Sequence, residues 1–259
     1  MVAFKVVIPA RYGSTRLPAK AIVDIGGKPM IQWVVDAALK SGANEVVVAT
    51  DDTRVANAVG TASGASVVMT RDDHPSGTDR IAEVAATRGW ADAEIVVNVQ
   101  GDEPLLPPAL VDQVATLLAS DSRADIATLS VPIGSLEEFL DPNAVKVVSA
   151  ADRSALYFSR APIPWNRDGA PQGITSQKVF TGAQRHLGIY AYRVASLKKI
   201  TSMPPGALEQ SEKLEQLRAL QAGMRILVTE AASAAGTGVD TEHDLARVRA
   251  TVAQRSKVS

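Results

Sequence analysis

The sequence predicts an α/β fold: a mainly parallel sheet covered by helices on both faces, with a small mixed excursion at about residues 150–220. Three observations lead there. Short β-branched runs alternate with apolar residues at helical spacing as far as residue 125, the rhythm of strands joined by crossover helices. The first run ends directly in a glycine-containing basic loop, Ala10-Arg11-Tyr12-Gly13-Ser14-Thr15-Arg16-Leu17-Pro18-Ala19-Lys20. Beyond residue 125, strand-like runs follow one another with little helix between them.

In order, Phe4 to Ile8 reads as a buried strand. Met30, Ile31, Val34, Val35, Ala38 and Leu39 recur at helical spacing and Gly42 stops them. Glu45 to Thr50 is the next strand, and residues 52–63 read as a helix. Ser66 to Met69 is a short strand. Ser76-Gly77-Thr78-Asp79 opens a helix over 77–88. Glu94 to Val99 is a strongly apolar strand, followed by a proline-initiated helix from about Pro108 to Ala119. Ile126 to Val131, Val145 to Val148 and Ala155 to Phe158 read as strands. Residues 162–183 hold Pro162, Pro164, Gly169, Pro171, Gly173 and Gly182, the composition of a loop or flap. Gly188 to Tyr192 is a strand, 208–222 a helix, Ile226 to Val228 a return strand, and a last helix covers about Thr241 to Val252.

The chain has 259 residues, 46% hydrophobic and 21% charged, with a net charge of −1. That length suits one large α/β domain. The charge gives no sign of a nucleic-acid surface. Cysteine is absent, which removes disulfides and thiolate chemistry. No apolar run approaches the ~18–20 residues that span a bilayer, and the N-terminus lacks the layout of a secretion signal. A cytoplasmic protein is expected.

Four segments carry candidate chemistry. In the first loop, Arg11, Arg16 and Lys20 stand beside Gly13 and Ser14 at the carboxyl end of a strand, where open parallel sheets bind ligands. Cations and free N–H groups there suit a polyphosphate; solvated loop cations are the alternative. The loop is neither a Walker A sequence nor a dinucleotide fingerprint. In Gln100-Gly101-Asp102-Glu103-Pro104, Asp102 follows a buried strand, the place for a Mg²⁺ that meets phosphate, or for an aspartate that caps the next helix or turn. In Gly236-Thr237-Gly238-Val239-Asp240-Thr241, Asp240 is either a second carboxylate for that metal or a helix cap. The fourth segment is dispersed: Arg160, His186, Tyr190, Glu215 and Gln216. Arg160 can grip a carboxylate with two parallel bonds. His186 and Tyr190, four apart on a strand, face the same side. A half-buried polar sheet face is the alternative. Ser76 is a lesser candidate, as a helix cap or as a nucleotide contact.

These segments resemble the 3-deoxy-manno-octulosonate (Kdo) cytidylyltransferases, or CMP-Kdo synthetases, over nearly the whole chain. The motifs that carry the resemblance include Ile8-Pro9-Ala10-Arg11-Tyr12, Ser76-Gly77-Thr78, Val97-Asn98-Val99-Gln100-Gly101-Asp102-Glu103-Pro104, Tyr157-Phe158-Ser159-Arg160, Arg185-His186-Leu187-Gly188-Ile189-Tyr190, Leu214-Glu215-Gln216-Leu217-Arg218 and Gly236-Thr237-Gly238-Val239-Asp240-Thr241. The resemblance implies a Rossmann-like nucleotidyltransferase fold, a single domain over 1–259 with a sugar-binding and dimerisation subdomain at about 150–220. It implies transfer of CMP from CTP to Kdo for lipopolysaccharide biosynthesis, with Mg²⁺ as cofactor and a homodimer as the assembly. By the same resemblance, Arg11, Ser14, Arg16, Lys20, Ser76 and Gln100 meet CTP. Asp102 and Asp240 hold the metal and, with Lys20 and Arg16, form the catalytic set. Arg160, His186, Tyr190, Glu215 and Gln216 line the Kdo pocket. Neither nucleic acid nor membrane is implied as a partner.

Overall fold

The computed structural model describes residues 2–14, 17–60 and 63–255. Its first half follows the predicted alternation: β1 (Lys5–Pro9), a short hairpin of β2 (Asp24–Ile25) and β3 (Lys28–Pro29), α1 (Met30–Leu39), β4 (Glu45–Thr50), α2 (Thr53–Val59), β5 (Ser66–Met69), α3 (Gly77–Thr87), β6 (Ile95–Asn98) and α4 (Pro108–Ala119). The hairpin turns on Gly26 and Gly27, both at positive φ (63° and 86°), the backbone a tight two-residue turn requires. The second half holds β7 (Ile126–Pro132), α5 (Leu136–Leu140), β8 (Lys146–Ser149), β9 (Ala155–Ser159), β10 (Gln184–Arg193), α6 (Val194–Ser202), α7 (Ala207–Glu212), α8 (Gln216–Gln221), β11 (Ile226–Glu230) and α9 (Glu242–Arg255).

The main sheet runs β11-β7-β10-β6-β1-β4-β5, with β8 and β9 attached beside β10. Strands β6, β1, β4 and β5 are parallel, as are β11 and β7; β10 is antiparallel to both its neighbours. The sheet is therefore mixed and mainly parallel. Alternate strand residues feed two cores. Val6, Ile8, Val46 and Val48 pack with α1, α2 and α4 on one face. Val7, Val47, Ala49 and Val96 pack with α3, α6 and α8 on the other. Val6, Val7 and Ile8 are all fully buried, which explains their unbroken apolar run. From β1 the chain moves outward through β4 and β5, then returns to place β6 on β1's other side. That reversal is a topological switch point, and a ligand crevice opens at the carboxyl ends of its strands.

Several elements depart from the sequence expectation. The helix expected over 52–63 is α2, capped by the Asp52 carboxylate on Arg54 N (2.8 Å) and followed by Gly60 at φ 71°; residues 61 and 62 lie outside the described residues. The helix expected over 208–222 is two helices, because Lys213 takes a left-handed turn (φ 54°) between them. Tertiary bonds hold both sides of that turn. Glu212 accepts from Ser159 Oγ (2.6 Å), and Glu215 accepts from α3. Helices α5 and α6 are additions. Strand β10 starts earlier than expected and bulges between Leu187 and Tyr190. Although it lies inside the expected excursion, it is a central strand of the main sheet.

Candidate active site

A cleft of about 310 Å³ opens at the switch point, between the tips of β1 and β6. Arg11, Gly13, Ser14 and Lys20 line one side, Gln100, Gly101 and Asp102 the floor, and Ser76 and Asp240 the far wall. The size suits a small-molecule site. Thr15 and Arg16 lie outside the described residues, so the Arg16 expectation has no structural counterpart here.

The two tips meet closely because of Gly101. A Cβ at that position would lie 2.9 Å from Pro9 O, closer than side-chain carbons tolerate. The segment that brings Asp240 is stapled to the same floor: Val239 N donates to Asp102 O (2.9 Å). A Cβ on Gly238 would lie 2.9 Å from Glu103 Oε1.

Lys20 Nζ donates to Asp102 Oδ2 at 2.6 Å and Asp240 Oδ1 at 3.0 Å. Burial works against the Lys20 charge, but the Asp102 carboxylate, followed by Asp240, outweighs it and raises the ammonium pKa. The capping alternatives are resolved by geometry. α4 starts after Pro107, so Asp102 caps no helix there, and its carboxylate accepts from Lys20 rather than from a turn's backbone N–H. At α9, Thr241 does the capping. Its Oγ1 accepts from Asp244 N (3.2 Å) and donates to Asp244 Oδ2 (2.8 Å). The Asp240 carboxylate is thereby left to face Lys20.

Among the described residues no group of three or more His, Asp or Glu side chains is arranged to hold a metal. Two carboxylates converging on one cation are nonetheless what Mg²⁺ takes from a protein when phosphate oxygens and waters complete its shell. Glu103 points the same way. Burial first, and then the Asp102 and Asp240 charges, push its carboxyl up to about 7 against the opposing pull of Arg185 and Lys20. Two carboxylate oxygens meeting at one position are a donor set that fits the metal.

Two more residues of the Asp73–Arg80 segment, the lesser candidate of the sequence, line the cleft beside Ser76. Arg80 is buried and pairs with Asp51 Oδ2 (2.8 Å) and Thr70, placing a fixed cation in the cleft wall. Its signal was Val48-Ala49-Thr50-Asp51 at the end of β4, beside β1. His74 lines the cleft and is held by Glu83.

The predicted sugar-side residues come together only in part. His186 and Tyr190 lie on one face with ring centroids 5.1 Å apart. Tyr190, Glu215 and Gln216 share a cavity of about 40 Å³ with Thr78 and Tyr192. Among the described residues the Gln216 Nε2 donor is buried there without a partner. A space of that size holds roughly one water of ~30 Å³. Glu215 accepts from Ser76 Oγ (2.9 Å) and Thr78 Oγ1 (2.5 Å), so the start of α3 ties the nucleotide-side cleft to this cavity. Ser76 also caps α3, accepting from Asp79 N. Arg160 stands apart, since its guanidinium donates to Glu212 O (2.7 Å) and Pro142 O (2.9 Å). Gln100 borders both the nucleotide-side cleft and the next pocket, which His186 lines.

Comparison with known proteins fits this geometry. The cytidylyltransferase family pattern matches residues 5–226. The 3-deoxy-manno-octulosonate cytidylyltransferase of Thioalkalivibrio sulfidiphilus is 55% identical, over 95% of this chain and 97% of its own. That of Cellvibrio japonicus is 56% identical, over 96% and 97%. A solved CMP:2-keto-3-deoxy-manno-octonic acid synthetase in complex with CTP superposes with a TM-score of 0.86 at 45% identity, covering 98% of this chain and 100% of that one. A 4-diphosphocytidyl-2C-methyl-D-erythritol synthase shares the fold at 12% identity (TM-score 0.64). The chain belongs to the cytidylyltransferase family, among the 3-deoxy-manno-octulosonate cytidylyltransferases.

Proposed function

We propose that this chain transfers CMP from CTP to the anomeric hydroxyl of Kdo, giving CMP-Kdo and pyrophosphate for lipopolysaccharide assembly. The observation that carries the reading is the convergence of Asp102 and Asp240 on Lys20 at the switch point, inside a cleft of nucleotide scale. The reaction brings a polyanion and a sugar acid together, and such chemistry rests mainly on positioning and charge neutralisation. Arg11 and Ser14 sit where the triphosphate would lie. Lys20 spends two N–H groups on the carboxylates and keeps a third, which a phosphate oxygen of the leaving pyrophosphate can accept. Asp102 and Asp240 would hold Mg²⁺, which when bound neutralises phosphate oxygens. Arg16 belongs to the phosphate-binding set on the resemblance alone.

The sugar-acid pocket is assigned to His186, Tyr190, Glu215 and Gln216, with Arg160, which stands apart from them in the free protein, as the carboxylate partner. The excursion at about 150–220 is read as the dimerisation part of a single domain. Leu156, 62% exposed on β9, and the exposed Trp165 support a homodimer there. Among the described residues no helix is long and apolar enough to cross a membrane, and the cytoplasm, where CTP is made, is the proposed location.

Pyrophosphate release with CTP, UTP and ATP against Kdo, 8-amino-Kdo and sialic, legionaminic and pseudaminic acids tests the reading. Release is expected with CTP and Kdo or a close derivative. Silence with every sugar acid would leave a nucleotide-binding protein without this activity.

A further inference from the structure

We propose that Thr128 is a positioning residue that holds His186 as its Nε2–H tautomer, so that Nδ1 meets the sugar acid as a hydrogen-bond acceptor. The tautomer follows from the structure alone; the ligand contact rests on the sugar-acid reading above.

The argument starts from the bulge in β10. Leu187 pairs with Leu129 and Tyr190 with Thr128, so Gly188 and Ile189 have no counterpart on β7. Their stretch of backbone leaves the ladder, and buried carbonyls off a ladder need another donor. Thr128 supplies it. Its side chain is fully buried, with Oγ1 2.7 Å from Ile189 O and 3.1 Å from Leu187 O. The same Oγ1 lies 3.0 Å from His186 Nε2.

A hydroxyl has one proton and two lone pairs, and a carbonyl only accepts. Were the Thr128 proton turned to the imidazole, two carbonyl oxygens would face its lone pairs at hydrogen-bond distance with no hydrogen between them. The proton therefore goes to a carbonyl, and the remaining contact needs a donor at Nε2. A flipped ring would set a carbon against Oγ1 and lose the bond. Phe158, edge-on at 5.1 Å, and Tyr190, at 5.1 Å, hold the ring. The imidazole is neutral as well, because burial and the nearby Arg185 charge push it down to about 3. A neutral ring protonated at Nε2 carries its lone pair on Nδ1. Among the described residues Nδ1 has no hydrogen-bond partner, and His186 is among the residues lining two neighbouring pockets. An acceptor here attracts a sugar hydroxyl and repels a carboxylate. His186 thus reads the polyol of the substrate, and the acid group must bind elsewhere.

The chain has three histidines, which makes the test tractable. A long-range ¹H–¹⁵N spectrum of the ¹⁵N-labelled protein, with His186 assigned by its loss in His186→Asn, reads the tautomer directly. The expected pattern is a protonated Nε2 and a bare Nδ1, unchanged from about pH 8 to about pH 6, where an ordinary imidazole titrates. A protonated Nδ1, or an imidazolium pattern at about pH 6, overturns the assignment. Thr128→Val should give His186 a mixture of tautomers and raise the KM for Kdo about tenfold, the loss expected for one hydrogen bond. The KM for CTP should stay within about twofold, a shift too small to mark a lost bond. Thr128→Ser should restore both the spectrum and the KM. A Val variant with the wild-type spectrum refutes the role of Thr128. A changed spectrum with an unchanged Kdo KM refutes the ligand contact. If no sugar acid is turned over by the wild type, the activity reading falls, while the unvaried protein's spectrum still decides the tautomer.

Discussion

Asp240 and Thr241 are neighbours in sequence, yet the geometry gives them separable duties, and paired alanine substitutions should pull those duties apart. Thr241→Ala removes a hydroxyl that accepts from Asp244 N and donates to Asp244 Oδ2. Loss of such a cap costs about 1 kcal/mol, or a fall in Tm of roughly 2–4 °C for a chain of this size. Asp240→Ala leaves the cap intact. It removes one contact to Lys20 from a carboxylate side chain that is 47% exposed, and pairs that open to solvent are worth about 0–1 kcal/mol. It also relieves the smaller of the two repulsions that, after burial, raise the Glu103 pKa. The stability change should therefore be small. The activity change should not be small, because half of the donor pair proposed for the metal is lost. A fall of about 100-fold or more in turnover is expected, or about 2.7 kcal/mol of transition-state stabilisation. The assay is pyrophosphate release at saturating CTP and Kdo across a Mg²⁺ titration, run beside thermal unfolding. Near-wild-type turnover of Asp240→Ala in saturating Mg²⁺ would refute the reasoning. So would a Thr241→Ala variant that loses as much activity as its neighbour.

Gly101→Ala places a Cβ 2.9 Å from Pro9 O; overpacking of this kind costs about 1–3 kcal/mol, and parting the two tips should raise the KM for CTP, with an unchanged KM counting against the close approach. Glu215→Ala removes the carboxylate that Ser76 and Thr78 share, so the Michaelis constants for both CTP and Kdo should rise, whereas an effect on Kdo alone would show that the link across α3 carries nothing. His186 sits at about 3 when folded against about 6.5 when unfolded. The unfolded chain therefore binds the extra proton between those values, and stability is lost as pH falls through that window. At pH 5.5 the loss is about 1.4 kcal/mol relative to His186→Asn, a comparison in which Glu103 and the other titrating groups cancel; a stability difference between the two proteins that does not vary with pH would remove the buried-neutral histidine.

The first half of the fold was legible because each element carries its own local signal. The Val6-Val7-Ile8 run announces a strand buried on both faces, and Met30 to Leu39 a helix with one apolar stripe. The break at Lys213 had no such signal. A left-handed lysine is set by what its neighbours hold, here Glu212 on β9 and Glu215 on α3. The α6 helix was hidden for a related reason: it leaves β10 at Arg193 with no side-chain cap, so nothing in the sequence separates helix from strand. The face shared by His186 and Tyr190 was read from period two in a regular strand, but the strand is bulged. Two residues are extra, an even number, so the alternation survives. At the site, Asp102 was visible just past a strand end, Lys20 in the loop after the first strand, and Asp240 before the last helix. That Lys20 would bridge both acids was not, because the contact depends on a fold-back from the far end of the chain.

That fold-back is itself the means by which the site is assembled. The family pattern ends at residue 226, before the second acid. What carries Asp240 to the cleft is a small core separate from those of the main sheet: Leu17 from the basic loop, Ile25 and Met30 from the hairpin and α1, and Val239, Leu245, Val248 and Val252 from the last segment. Arg249 adds bonds to Asp24 O (2.7 and 3.0 Å). Val239, immediately before Asp240, is buried in that core while its N–H is fixed to Asp102 O. Val239 thus anchors the backbone beside Asp240 to that of Asp102 through a hydrogen bond and packing, separately from the Lys20 contact. The acids are therefore held near one another, and in the free protein Lys20 lies between them. A substitution that shrinks Val239 should loosen this arrangement while leaving both carboxylates chemically intact.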